Sequence, residues 1–425
     1  MLARKLRPII VMLAMSSGKC DHTPSLALGQ TAVPMNSGTA AHKQPLRVAL
    51  FPWLPDPAGD NFKSLASALK TRFERENPDT EVTIILDKGE DLYNRAKVAW
   101  LLDPPRAADR YDIVEVDEIM LSEVVATKRV APWALPPQPE WHPAGKLAGT
   151  IDNKLYAVPH WLCAHFLFAR DPGVAAASSA DELVGQLRRI ATPIPNLAGD
   201  FLGSWNLPAL YLDAWVDTYG SKDLAQQVAL NQLDETTVVP ALKAVANQCI
   251  RDDKSNPCTS GKFNKDPDLA AIEFAEGGAD SFLGYSERLH VILSRWKGPG
   301  TPQINLAPLG TGNSPVVFVD GLVLNEKCAE DPECARRAQQ FALYLTRADI
   351  MEFVLLSHDA VIAGKGAQKP RYLIPATAAA YTKAVVADPY FPLLKKLVQA
   401  AVPFPNGKLY DIRSQLRDQL VRDLR

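Results

Sequence analysis

Apolar residues come in short runs that alternate with amphipathic stretches. Leu46–Leu54 (LRVALFPWL) is a continuous apolar run closed by the turn-forming segment 55–59, the pattern of a buried strand. Phe62, Leu65, Leu69 and Phe73 then recur at helical spacing, which predicts a helix over Phe62–Glu76. Glu81–Leu86 and Asp112–Val116 predict two further strands, the second ending at Asp117. Such alternation predicts an α/β fold with mostly parallel sheets, whose ligands sit beyond the carboxyl ends of the strands. Phe51, Trp53 and Asp117 fall at those ends.

The segment Lys154–Arg170 (KLYAVPHWLCAHFLFAR) is almost uninterruptedly apolar and aromatic. Ser179 followed by acids predicts a capped helix over Ser179–Ile190. Tyr211, Trp215 and Tyr219 form a stripe at intervals of four within the helical segment Pro208–Tyr219, and core packing alone accounts for such a stripe. Residues 222–248 are predicted helical and Asn247–Lys265 a polar loop. Helices follow over Ala270–Ala279 and Glu287–Arg295, with Ser281–Tyr285 extended between them. Pro315–Asn325 is a strand that passes through an acid, Asp320, and the chain from Glu330 onward is mainly helical.

The chain's beginning follows another logic. Arg4, Lys5 and Arg7 precede the apolar stretch Pro8–Met15 and the small residues Ser16, Ser17 and Gly18, the order of a secretory signal over 1–18. A misplaced start codon is the alternative. Lys19 before Cys20 argues against lipidation. Residues 19–45 lack periodicity and are expected to be a disordered leader. No stretch reaches the length of a membrane-spanning helix. The expected location is secreted or periplasmic.

Composition narrows the classes. The 425 residues carry 46 basic and 48 acidic side chains, a net charge of -2, with no basic excess for general nucleic-acid binding. Six cysteines are too few for a disulfide-dense scaffold, and none forms a CxxC pair. Cys249 with Cys258, and Cys328 with Cys334, flank short loops and suit local disulfides, although buried free thiols would have the same spacing. Cys163 stands apart within the apolar segment, as either a nucleophile or a small core residue.

Tyr156–Phe168 (YAVPHWLCAHFLF) resembles the nucleophile region of the thiaminase I (thiamine pyridinylase) family, and Gly284–Leu289 (GYSERL) resembles the segment bearing that family's base. The strand end at Phe51–Pro55, the YDIVEVD segment and VVFVDGLVLN follow in the family's order. The resemblance implies the two-lobed fold of type II periplasmic binding proteins, with a central cleft. Lobe one would comprise 46–160 and 288–345, and lobe two 161–287 and 346–425. It also implies a monomer that needs no cofactor or metal and takes thiamine and a nucleophilic base as substrates.

On that resemblance Cys163 is the nucleophile and Glu287 its base, while Asp117 and Asp320 match cleft acids. Cys163 would add to C6 of the aminopyrimidine, the neutral thiazole would leave, and another base would take its place on the methylene. Tyr285 matches a family tyrosine. Phe51 and Trp53 lie where the family tends to place a tyrosine, so the hydroxyl is missing there. Tyr93 and Tyr211 are further candidates for the substrate wall. The aspartates could instead cap turns, and Glu287 could be a solvated helix-start residue. His160 and His165 flank Cys163, with His165 on its face of an extended strand, but the resemblance assigns the base to glutamate. Two rival functions remain: a non-catalytic solute-binding protein on the same scaffold, and a cysteine hydrolase pairing Cys163 with His165.

Overall fold

The computed structural model of the chain describes residues 43–425, apart from positions 90, 137–139, 191–193, 231, 251–254, 406 and 425. The expected signal, and the leader up to residue 42, lie outside the described residues. The first strand starts at Gln44, inside the segment expected to be leader.

Two sheets organise the described chain. The first runs in the order Ile374–Pro375, Ala157–Cys163, Val316–Asn325, Ile113–Asp117, Gln44–Ala49, Thr80–Ile85. Its β-branched and aliphatic residues are buried, with Leu46, Val48, Val82, Ile113 and Val114 inaccessible to solvent. The helix Lys63–Glu76 lays Leu65, Leu69 and Phe73 inward. Phe73 meets Phe341 and Tyr344 edge-on at 4.9 and 5.2 Å between ring centroids. Burying one such ring is worth about 1.5–3 kcal/mol.

The second sheet runs Gln303–Leu306, His165–Ala169, Ser281–Tyr285, Ala198–Gly199. Phe166 and Phe168 are fully buried within it. The apolar segment Lys154–Arg170 therefore serves both sheets: Ala157–Cys163 belongs to the first and His165–Ala169 to the second.

Several expectations are corrected. The sheets are mixed rather than mostly parallel. Gln44–Ala49 pairs in parallel with both its neighbours, but Val316–Asn325 runs antiparallel to Ile113–Asp117 and Ala157–Cys163. The second sheet is antiparallel apart from the pairing of Ser281–Tyr285 with Ala198–Gly199. Gln303–Leu306 joins the second sheet and Ile374–Pro375 the first. The helix expected over 222–248 is interrupted between Leu224–Leu230 and Val238–Ala246. There the Asp234 carboxylate accepts the backbone N–H of Thr236 and Thr237, a side-chain substitute for helical bonding.

Ser179 caps the helix Ala180–Arg189 by accepting from the Glu182 amide, as its position predicts. Both local disulfides are formed, Cys249–Cys258 and Cys328–Cys334, and Cys163 is free. Among the described residues no helix is long and apolar enough to cross a membrane.

Candidate active site

The site begins with one irregularity in strand pairing. Asp320 stands opposite Asp117 on one side and Trp161 on the other, while Phe318 stands opposite Cys163. Between Asp320 and Gly321 the register with Ala157–Cys163 slips: Asp320 faces Trp161 but Gly321 faces Pro159. His160 is thus the extra residue of a β-bulge. Side chains alternate along a strand, so one inserted residue sends everything after it to the other face. The bulge therefore puts Trp161 and Cys163 on the face that carries Asp117 and Asp320. Gly321 permits the close approach, since a Cβ there would lie 2.9 Å from the Ala157 Cβ. The Cys163 thiol points at the Asp320 carboxyl, with Sγ 3.8 Å from Oδ2.

These acids are buried without cations. Asp117 and Asp320 are 1% and 5% exposed, and neither takes part in an ion pair among the described residues. Burial raises the Asp117 carboxyl to about 6, opposed by its contact with Glu118 and by the Ile119 amide it accepts. Asp320 is pushed well up by burial and by the neighbouring charges of Asp117 and Glu115. Glu118, which accepts the Val319 amide, is likewise raised by burial and by Asp117. Crowded carboxyls in a dry site cannot all ionise, so this wall holds protons as well as charge. Asp117 does cap a turn through Ile119, as the bland reading allows, but it also lines the cleft; Asp320 lies mid-strand and caps nothing.

The second sheet supplies the facing groups. Tyr285 ends the strand Ser281–Tyr285, and Glu287 immediately precedes the helix Arg288–Arg295. Glu287 is 7% exposed and makes no capping bond, which removes the reading as a solvated helix start. Burial raises its carboxyl against the opposing pull of Arg288, whose Nη2 lies 3.8 Å away. The Cys163 thiol is raised well above its ordinary range by burial, then by Asp320 and Glu287. It rests as a thiol and needs a base when it reacts.

Asp117, Cys163, His165, Tyr285, Glu287 and Asp320 line one cavity of about 790 Å³. That size suits a small organic ligand. Phe51, Trp53 and Tyr93 form a wall, with Phe51 edge-on to Tyr93 at 4.8 Å and Trp53 at 6.1 Å from the same ring. Phe51 is anchored by its own amide, which donates to Glu115; that carboxylate also holds His160 Nδ1 at 2.5 Å.

Tyr211 is corrected. It does not line the cavity; it is buried in the helix Asn206–Tyr219, and its hydroxyl accepts from the Asp234 amide and the Gln227 side chain. It is core, as aromatic helical stripes usually are. Sequence reasoning missed Trp205, Tyr410 and Arg413. Trp205 lies 4.4 Å from Tyr93, and Arg413 stacks 4.0 Å from the Trp205 ring. Tyr410 and Arg413 sit on the C-terminal helix Leu409–Leu424, where no local pattern marks them. Asp213, which pairs with His165 Nδ1, was missed because it hides in a helix 48 residues away.

No protein-family model matches the chain. The chain is 24% identical to Thiaminase-1 of Paenibacillus thiaminolyticus over 97% of its own length and 93% of the relative's. The solved Clostridium botulinum thiaminase I in complex with thiamin superposes with a TM-score of 0.66 at 20% identity, covering 89% of this chain and 98% of that one. The GacH receptor of Streptomyces glaucescens, solved unliganded and with acarbose, gives 0.65 at 17% identity over 90% and 93%. The fold is the two-lobed type II periplasmic-binding-protein fold, shared by thiaminase I and by solute receptors.

Proposed function

We propose that this protein is a thiaminase I: it displaces the thiazole of thiamine with another base through a covalent adduct on Cys163. The observation that carries the proposal is the one free thiol of the described residues. It lies in a cleft with a buried carboxyl, Glu287, and two carboxyls that no cation among the described residues neutralises. A cationic substrate offers those acids the counter-charge that the protein withholds.

In this mechanism the Cys163 thiol adds to C6 of the pyrimidine as Glu287 takes its proton, a transfer favoured by the raised carboxyl. Asp117 and Asp320 hold the aminopyrimidine by hydrogen bonds to a ring nitrogen and the exocyclic amine. They stabilise the charge that accumulates as the ring accepts electrons. The thiazole departs neutral, an acceptor adds to the exposed methylene, and the thiol leaves. Tyr285, Phe51, Trp53 and Tyr93 provide faces for the flat ring and the thiazolium cation. The two disulfides support export to an oxidising compartment, where the protein would act as a monomer.

Mass spectrometry after incubation with thiamine and pyridine tests the reading. Released thiazole and a pyridine adduct of the pyrimidine are expected, and Cys163→Ser should lower turnover by at least ~10³-fold. Full turnover in that variant would refute the role of Cys163. The likeness to the GacH receptor favours one alternative, a solute-binding protein; bound but unchanged thiamine would support it.

A further inference from the structure

His165 opens the second sheet's strand two residues after Cys163 and lines the same cavity. Its Nδ1 edge is tied to Asp213 on the helix Asn206–Tyr219. When Asp213 is ionised it can only accept, so it favours the tautomer with the proton on Nδ1; in that neutral ring Nε2 carries the lone pair. Tyr285 stacks on the ring at 4.5 Å between centroids, inclined by 30°. The imidazole is therefore held at one edge and on one face.

The remaining edge is the informative one. His165 is 5% exposed, and Nε2 is buried without a hydrogen-bond partner among the described residues. Leaving such a nitrogen unpaired is costly, and native structures accept that cost mainly where the group has work to do. His165 and Glu287 line the same cavity. His160 makes the same kind of pair with Glu115 but does not line the cavity.

The proton count of the proposed reaction leaves a vacancy. Cys163 and Glu287 exchange a single proton: it moves to Glu287 when sulfur adds to C6 and returns to sulfur when C6–S breaks. While the acceptor adds, Glu287 already holds that proton. Pyridine has no N–H and needs no further base. A primary amine, a thiol or water brings a hydrogen that must leave as its heteroatom bonds to the methylene.

We propose that Nε2 of His165, positioned by Asp213, is the base that removes this proton from protic acceptors. The acceptor's heteroatom bonds to the methylene carbon. The electron pair of the exocyclic double bond then restores the ring double bond as C6–S breaks, and sulfur regains its proton from Glu287. The acceptor's proton passes to Nε2 and on to water. The inference rests on the thiaminase reading and adds to it a residue whose work is confined to acceptors that carry a proton.

The test compares two acceptors, pyridine and aniline, with the full-length protein and thiamine. His165→Gln should lower kcat with aniline by about 10²-fold or more. Its loss with pyridine should be at least ~10-fold smaller, so the ratio of the two losses is the readout. Asp213→Asn retains the imidazole but no longer fixes the Nδ1–H tautomer, and it should shift the ratio in the same direction. Imidazole added to His165→Ala should restore the aniline reaction preferentially. Equal losses with both acceptors, or undiminished aniline turnover, would overturn the assignment. A wild-type protein that releases no thiazole with either acceptor would instead overturn the reaction beneath it.

Discussion

Two groups of buried carboxyls in this molecule were treated in opposite ways. Asp359 is wholly inaccessible and is neutralised by Arg371, also inaccessible, through paired bonds of 2.7 Å from Nη1 and Nη2. The same guanidinium donates to the carbonyls of Pro55 and Val354, so little of its hydrogen-bonding capacity is wasted. Asp117 and Asp320 are almost as deeply buried, face each other across a strand pair, and have no cationic partner among the described residues. A buried charge is expensive unless it is paired. The first group meets that cost within the fold. The second leaves it unmet on the wall of a cleft, where a positively charged ligand can meet it.

Breaking the closed pair should produce the largest effect on stability. Arg371→Met leaves Asp359 buried and uncompensated, and about 3–5 kcal/mol of unfolding free energy should be lost in urea titrations. Thiamine turnover per folded molecule should change far less, because neither partner lines the cleft.

Asp117→Asn should do the reverse. Its carboxyl is raised from 3.8 to about 6 in the folded protein, so the folded state binds the proton more tightly than the unfolded chain. Stability from this group is therefore lost as pH rises from about 4 through about 6. The amide avoids that loss and should gain up to about 3 kcal/mol at pH 7, with no gain below about pH 4. Activity should fall in the same variant. Urea titrations at pH 4 and 7 measure the first effect and thiazole release the second. A stability loss at pH 7 would show that the two groups are not opposites.

The smallest effect belongs to the rim. Trp53 is 48% exposed, so Trp53→Ala should leave stability nearly unchanged. It should raise KM for thiamine roughly two- to fivefold, the worth of an exposed cation–π contact of about 0.5–1 kcal/mol. A loss as great as that from Asp117→Asn would mean that the ring, rather than the acids, carries recognition.

Much of the framework was legible along the chain. Helical spacing located Lys63–Glu76, and the run through Asp320 located Val316–Asn325, because both patterns reflect one-sided or complete burial of neighbouring residues. Cysteine spacing located both disulfides, which close loops too short to need distant information. The cleft was legible only where a residue sat at a strand end or in a recognisable motif: Phe51, Trp53, Asp117, Cys163, Tyr285, Glu287 and Asp320 all line it. Tyr93 does as well, whereas Tyr211 shows how poorly a helical stripe distinguishes wall from core.

By itself, then, the amino-acid sequence determined the local elements, the two short disulfide loops and a lone thiol in an apolar segment. These depend on backbone propensity and on neighbours a few positions apart. Tertiary structure alone decided that His160 bulges and turns Cys163 toward the acids, that Asp213 holds His165, and that Arg413 lies against Trp205. Each of these depends on which distant strand or helix arrives alongside. A register slip of one residue reverses a side chain's face without altering a single residue of the local pattern.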